Sequence, residues 1–337
     1  MVDIRYPFQD FDRFNVEYRG SAFDSVLANS VNVNLMYQNN ERELTNQIDA
    51  WENGELFPGF VVEYPMFFHT SVTTENFTDL ETLGLRAEVI KSINDKHLLS
   101  YGADYYNDDS FNTDNSVVSG GLSMQMAPGE FPENLGPPFF TTTDDVANTP
   151  NADNLNYGFF IQDQFLLTQR LSGTVGLRWA HSETKAKETP ELDTEGLDFD
   201  DDALVGAFNL VFAATSNLHL VGTYGTAFRA PNISERLFNG LTPEGSGYQI
   251  LNPDLESEES DNFDLGLKYR RANAVFELVY FRNEIDNGII QYFLTDEEID
   301  QLPDDVKQEI EESRANFVVQ QRNIDKLRVE GVEAIDG

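Results

Sequence analysis

The stretch from Leu218 to Leu255, LHLVGTYGTAFRAPNISERLFNGLTPEGSGYQILNPDL, decides the fold. Its first half alternates: Leu218, Leu220, Tyr224 and Phe228 share one parity, while His219, Thr223, Gly225 and Ala227 share the other. That is a strand with one apolar face and one small, mostly polar face. Pro231 has no N–H to give a ladder and biases Ala230 away from helix, so the strand stops there. A polar loop follows and closes at Asn252-Pro253.

The same alternation recurs on both sides of this stretch. Phe14 to Tyr18, then Val31, Val33, Leu35 and Tyr37, then Leu83, Leu85, Ala87 and Val89 each place apolar residues on one face. Tyr157, Phe159 and Ile161 face Val175, Leu177 and Trp179 across a turn at Thr168-Gln169-Arg170. Phe263, Leu265 and Leu267 return through Phe276, Leu278 and Tyr280 after Arg271-Ala272-Asn273. Alternating runs joined by a few residues are hairpins. One helix interrupts them, starting at Leu302-Pro303-Asp304-Asp305 and ending near Ser313, with proline and carboxylates where a helix N-terminus favours them.

Connection lengths alternate as strictly as the side chains. Turns at Asn94, Thr168, Thr215, Arg271 and Asn323 are short, whereas the gaps after Asp104, His181, Phe228 and Asp286 are long. The longest, Asn107 to Asn154, has no pattern and exceeds the about 12–15 residues of an ordinary long loop, so it reads as a functional or disordered segment. A polar span through Asn53-Gly54 and Pro58-Gly59 also reads as loop. Strict alternation puts every short turn at one end and every long loop at the other. An up-and-down transmembrane barrel has that form, whereas a soluble sandwich mixes its loop lengths. Lys268, Glu277, Arg178, Arg328 and Glu330 fall on the polar parity, as lumen residues would.

Composition narrows the partners. The 337 residues carry 22 basic and 59 acidic side chains, a formal charge of −37 that repels nucleic acid. There is no cysteine, hence no disulfide or thiolate metal site, and no start resembling a signal peptide. No run approaches the roughly 18 apolar residues of a membrane helix, so any spanning structure is a closed barrel. No Gly-rich phosphate loop or HExxH pair supports an enzyme.

Several motifs carry a family likeness. Phe228-Arg229-Ala230-Pro231 with Asn252-Pro253-Asp254-Leu255 resembles the paired FRAP and NPxL boxes of TonB-dependent outer-membrane receptors, and Glu259-Ser260-Asp261-Asn262-Phe263 resembles the acidic phrase that follows. Tyr101 to Tyr105, Tyr157 to Asp163, Gly176 to Trp179, and Asn323 to Lys326 leading into Glu330-Gly331-Val332-Glu333 resemble barrel strands of the family, in its order.

The resemblance implies a barrel of about 22 strands with a plugged lumen. Such a receptor imports scarce iron complexes, haem, metal or vitamin, with energy delivered through the TonB complex of the inner membrane. The alternation gives about twelve strands here, so residues 1–337 read as one partial barrel domain, all-β and antiparallel, without the plug or the final strands. The expected location is the outer membrane of a Gram-negative bacterium, in contact with its lipid.

The resemblance further implies that loops at Asn107–Asn154 and Asn232–Leu251 meet the ligand first. Arg229, Asn232, Tyr248 and Asn252 are the binding candidates of the box region, and Arg229 and Asn252 equally suit loop shaping at a barrel rim. Haem receptors of this family place a His between the boxes; none stands at 232–251, where Tyr248 is the substitute. Met124 and Met126 suit soft copper ligation or ordinary loop packing. His69 and His181 lie toward the long-loop end and are weak metal candidates, while His97 and His219 sit by the short turns. Asp198, Asp200, Asp201 and Asp202 lack the spacing of a calcium loop. No resident cofactor is expected. The reading is TonB-dependent import of an iron-bearing ligand, siderophore or haem. A passive porin and a soluble secreted carbohydrate-binding β-protein are the alternatives.

Overall fold

The computed structural model describes residues 2–23, 25–53, 66–127, 129–242, 247–313 and 315–336. Its long strands are β1 (Val2–Ser21), β2 (Ser30–Asn53), β3 (Met66–Asn94) and β4 (His97–Met124), with the short β5 (Glu133–Asn134) and β6 (Phe140–Asp144) paired to β4. Then come β7 (Ala152–Thr168), β8 (Leu171–Ala186), β9 (Asp198–Ala213) and β10 (Leu218–Arg229). After helix α1 (Ile233–Leu237) follow β11 (Gly240–Leu241), β12 (Gly247–Ile250), β13 (Glu258–Arg271) and β14 (Ala274–Phe293). Helices α2 (Asp296–Asp300) and α3 (Asp304–Ser313) precede β15 (Phe317–Asp336). Eleven long strands pair antiparallel with their sequence neighbours from β1 round to β15, a sheet that does not close on itself.

The alternation gives the sheet one apolar, outward face. On β9, Leu204, Phe208, Leu210 and Phe212 point outward, and Asp202 stands on the same face just above them. From 204 to 212 is nine residues, within the about 9–11 that a tilted strand needs to cross a bilayer. Aromatic side chains mark the upper margin of this band: Tyr105, Tyr157 and Trp179, then Tyr224, whose hydroxyl donates to Asp261, and Tyr37, which donates to Glu81 at 3.0 Å. Such belts belong at the headgroup level. The opposite face carries charge in pairs: Arg178 donates both amino groups to Asp104 at 2.6 and 2.7 Å, and Lys268 faces Glu277 at 3.3 Å.

Three expectations are corrected. Residues 107–124 are strand, not loop: β4 pairs with β3 in unbroken register from Met66↔Met124 to Ser92↔Leu98. Beyond Leu83 the outward face turns to Glu81, Asp79, Glu75 and Thr73. Outside the bilayer neither face has to be apolar, so the strand persists on its backbone ladder without the alternation that reveals strands elsewhere. The long connection is therefore 125–151, and Asn53 ends β2 while Gly54, Pro58 and Gly59 lie outside the described residues.

Asn323 makes no turn. Strand β15 runs straight through it, because its side-chain amide donates to the carbonyls of Asn287 and Glu256 and its oxygen accepts the Glu256 N–H. Arg328 and Glu330 are not lumen residues; they share the outward face of Tyr280 and Val332, above the aromatic row, where Arg328 pairs with Glu284. Helix α3 lies where the sequence puts it, and the two five-residue helices α1 and α2 are additions.

Every buried apolar side chain among the described residues lies in the outer loops or at the strand ends beside them. Tyr248, Ile250, Ile310 and Val318 form the core of this canopy, with Ile299, Leu302 and Val306 of the β14–β15 loop packed on it.

Candidate functional site

The box region is built from the end of β10 upward. Arg229 is the last residue of that strand, and Pro231 ends the ladder. Asn232 then caps α1: its side chain accepts the Glu235 N–H at 2.8 Å, and Glu235 accepts the Asn232 N–H at 2.9 Å. This reciprocal box satisfies two of the helix's orphan donors. Arg229 completes it, donating Nε to Glu258 at 2.5 Å and an amino group to Glu235 at 2.8 Å. The two carboxylates push the Arg229 pKa further up, and Arg229, together with the Ile289 N–H, holds the Glu258 carboxyl below its ordinary value.

Arg236 is the buried anchor of α1. It donates to the Leu255 carbonyl of the second box at 3.0 Å, pairs with Asp201 at 2.9 Å and lies 4.7 Å over the Phe199 ring. Ser257 donates to the other Asp201 oxygen at 2.7 Å. The second box is zipped to β15: Asn252 donates to the Gln321 carbonyl at 2.8 Å and accepts from the Asp254 N–H, and Gln320 donates to the Leu251 carbonyl. Strand β12 pairs parallel with β15 from Gly247↔Phe317 to Ile250↔Gln320.

Neighbouring loops are laced to this unit. The Asn239 N–H donates to Asn148, and Gly240 sits at φ 150°, where Asn148 fills the space a side chain would need. The Lys187 N–H donates to Asn151, and its ammonium bridges Asp109 and Asp153 at 2.8 and 2.7 Å. On the other side Arg322 reaches Glu298 at 2.7 Å. The Thr295 N–H and then Arg322 pull the Glu298 carboxyl down to about 2. Between β9 and the second box lies a cleft of about 510 Å³ with Asp200, Asp202, Asp254, Glu256 and Glu259 on its walls and Arg236 in its lining.

The sequence candidates fall into different places. Arg229 and Asn232 meet at Glu235 at the start of the box loop, and Asn252 braces its other end against β15. Tyr248 is buried in the canopy core, its hydroxyl donating to Glu309 at 2.9 Å. Met124 ends β4 beside Met66, and Met126 stands two residues further on. His69 bonds Asp49 at 3.0 Å and stacks on Trp51, while His181 bonds Asp202 at 3.1 Å on the outward face with Trp179. Among the described residues no three His, Asp or Glu side chains converge as a metal site, the Asp198–Asp202 run included. Sequence reasoning missed Arg236, Glu235, Glu258 and Asn323; the Asn232-x-x-Glu235 spacing was a readable signal for the helix start.

The model of the family described as TonB dependent receptor-like, beta-barrel, matches residues 3–337. The ferric enterobactin receptor PirA of Pseudomonas aeruginosa is 25% identical over 250 residues, which are 71% of this chain and 28% of that protein. Among solved structures, the copper transporter OprC superposes with a TM-score of 0.60 at 16% identity, covering 99% of this chain and 44% of that one. The FrpB iron transporter of Neisseria meningitidis gives 0.50 at 14%, covering 98% and 51%. At such identities these two likenesses show the fold, and the chain spans well under two thirds of each relative's length. With an outward apolar band, a charged inner face and the two boxes bracing the outer rim, the chain belongs to the TonB-dependent receptor β-barrel family.

Proposed function

We propose that the protein containing this chain is a transporter, not an enzyme, that actively imports an iron-bearing ligand across the outer membrane of a Gram-negative bacterium with energy delivered through TonB. The family match over residues 3–337 carries this reading. The curated relative named as a ferric enterobactin receptor supports iron as the cargo element. A diffusion porin needs an open mouth, and the lacing of loops 125–151, 187–197, 230–257 and 294–316 into one canopy speaks for a ligand-holding vestibule instead.

Between siderophore and haem, a ferric siderophore is the better cargo. The box loop has no His, and the Tyr248 hydroxyl is spent on Glu309 within the canopy core. The TonB complex, outer-membrane lipid and the ferric complex are the partners of this reading. A strain deleted for the whole gene, grown on one iron source at a time, tests it. Loss of growth on at least one ferric siderophore, restored by the intact gene and abolished again without TonB, is expected. Unchanged uptake of every iron source, metal and vitamin would overturn the import reading.

A further inference from the structure

Methionine is scarce in this chain, five residues in 337, yet three of them stand at or within two residues of one hairpin end. Met66 opens β3 and Met124 closes β4, and the two are directly opposed in the ladder. Directly opposed residues of an antiparallel pair have Cβ atoms about 4.5–5.5 Å apart on one face, so two thioethers reach a common point. Glu133 of β5 opposes Met124 from the other side. Met126 follows two residues after the end of β4 and is 47% exposed. This place is remote from the bilayer. The apolar band ends near Leu83, and the 66–82 stretch beyond it extends about 50 Å at about 3.3 Å per residue.

Thioether sulfur is a soft donor that discriminates against hard cations. In a chain of charge −37, carboxylate oxygen is plentiful, whereas uncharged sulfur offers something only a soft ion uses. Packing alone gives no reason for methionine here: the next row on the same face, Phe68 opposite Leu122, fills it with ordinary hydrocarbon. We propose that Met66, Met124 and Met126 form a site for a soft monovalent metal, copper(I), at the outer end of the β3–β4 hairpin. The site shares no residue with the box loop and stands independently of the iron-import reading. Binding is simple coordination of an ion already in the reduced state, with no electron transfer by the protein.

The test uses the full-length receptor purified in detergent. Copper(I), kept reduced with ascorbate, is titrated against a chromophoric copper(I) chelator. Native protein is expected to withdraw one equivalent, and the M66L/M124L variant to bind at least tenfold more weakly. Leucine conserves volume and packing, so the variant folds; unchanged heat-modifiable mobility on gels checks that. The M36L variant, altered in β2 away from the site, should bind as native protein does. Failure of the native receptor to compete, or equal binding by M66L/M124L, would overturn the site and leave the import reading as it was.

Discussion

The barrel wall and the loop canopy use the same apolar residue types in opposite ways. In the wall, Leu177 and Leu204 are 53% and 72% exposed, the exposure that an outward apolar face of a membrane barrel has when its packing partner is lipid. In the canopy, Leu237 and Val319 are 2% and 0% exposed, packed as in any water-soluble domain. The wall is held by backbone ladders from strand to strand, whereas the canopy is held by a small core and by side-chain braces such as Arg236 to Leu255 and Asn323 to Glu256. One chain thus folds against two solvents, and the boundary runs through the aromatic row and the two boxes.

The contrast can be broken at chosen points. The largest effect is expected from Phe208→Arg, which places a charge at the middle of the apolar band, where it costs about 2–4 kcal/mol. Assembly into outer membranes, read as heat-modifiable mobility on gels, should fall sharply. Thr73→Arg lies on the same outward face but above the band, beside the native Glu75, and should change stability by less than about 0.5 kcal/mol.

Arg236→Ala should leave the wall assembled and loosen the canopy. Removing one member of a buried pair costs about 3 kcal/mol, and here it strands Asp201 and the Leu255 carbonyl. Hydrogen exchange should rise in residues 230–257 and stay unchanged in β7 and β8. Equal loosening of both regions would erase the distinction. Tyr248→Phe removes the hydroxyl, which donates to Glu309 and accepts from the Asn239 amide, at a cost of about 1 kcal/mol with the ring core kept.

The smallest effect is a response to pH. Glu298 has a folded value of about 2 against an ordinary 4.5, so its contribution is fully present above about pH 4.5 and is lost as the pH falls toward 2. Proteolysis of the 294–316 loop should quicken over that window in the native protein, and E298Q should flatten the dependence.

How much could be read beforehand follows the same boundary. In the bilayer the sequence has to alternate, so Phe159, Leu177, Phe263 and Leu278 declare their strands, and the short turns declare their end. Above it the constraint lapses. The Asn, Asp and Thr runs at 107–124 look like loop although they are regular strand. Asn323 looks like a turn residue, while its amide is committed to two carbonyls contributed by distant segments. Helix α3 was legible from Pro303 and its leading aspartates. Arg236 was not, since a lone Arg in a loop gives no sign that Asp201, Phe199 and Leu255 will surround it. The boxes revealed the family, and only the geometry revealed that their side chains brace the loop.

The wall-and-canopy division has a direct test, helped by the absence of cysteine from these 337 residues. Single substitutions L177C, L204C and F208C on the outward band, and T73C above it, are made in the full-length receptor and probed in intact outer membranes. A lipid-soluble maleimide should label all the band positions, a charged water-soluble maleimide only T73C. Efficient labelling of L177C, L204C and F208C by the charged reagent would place that face in water and contradict the account.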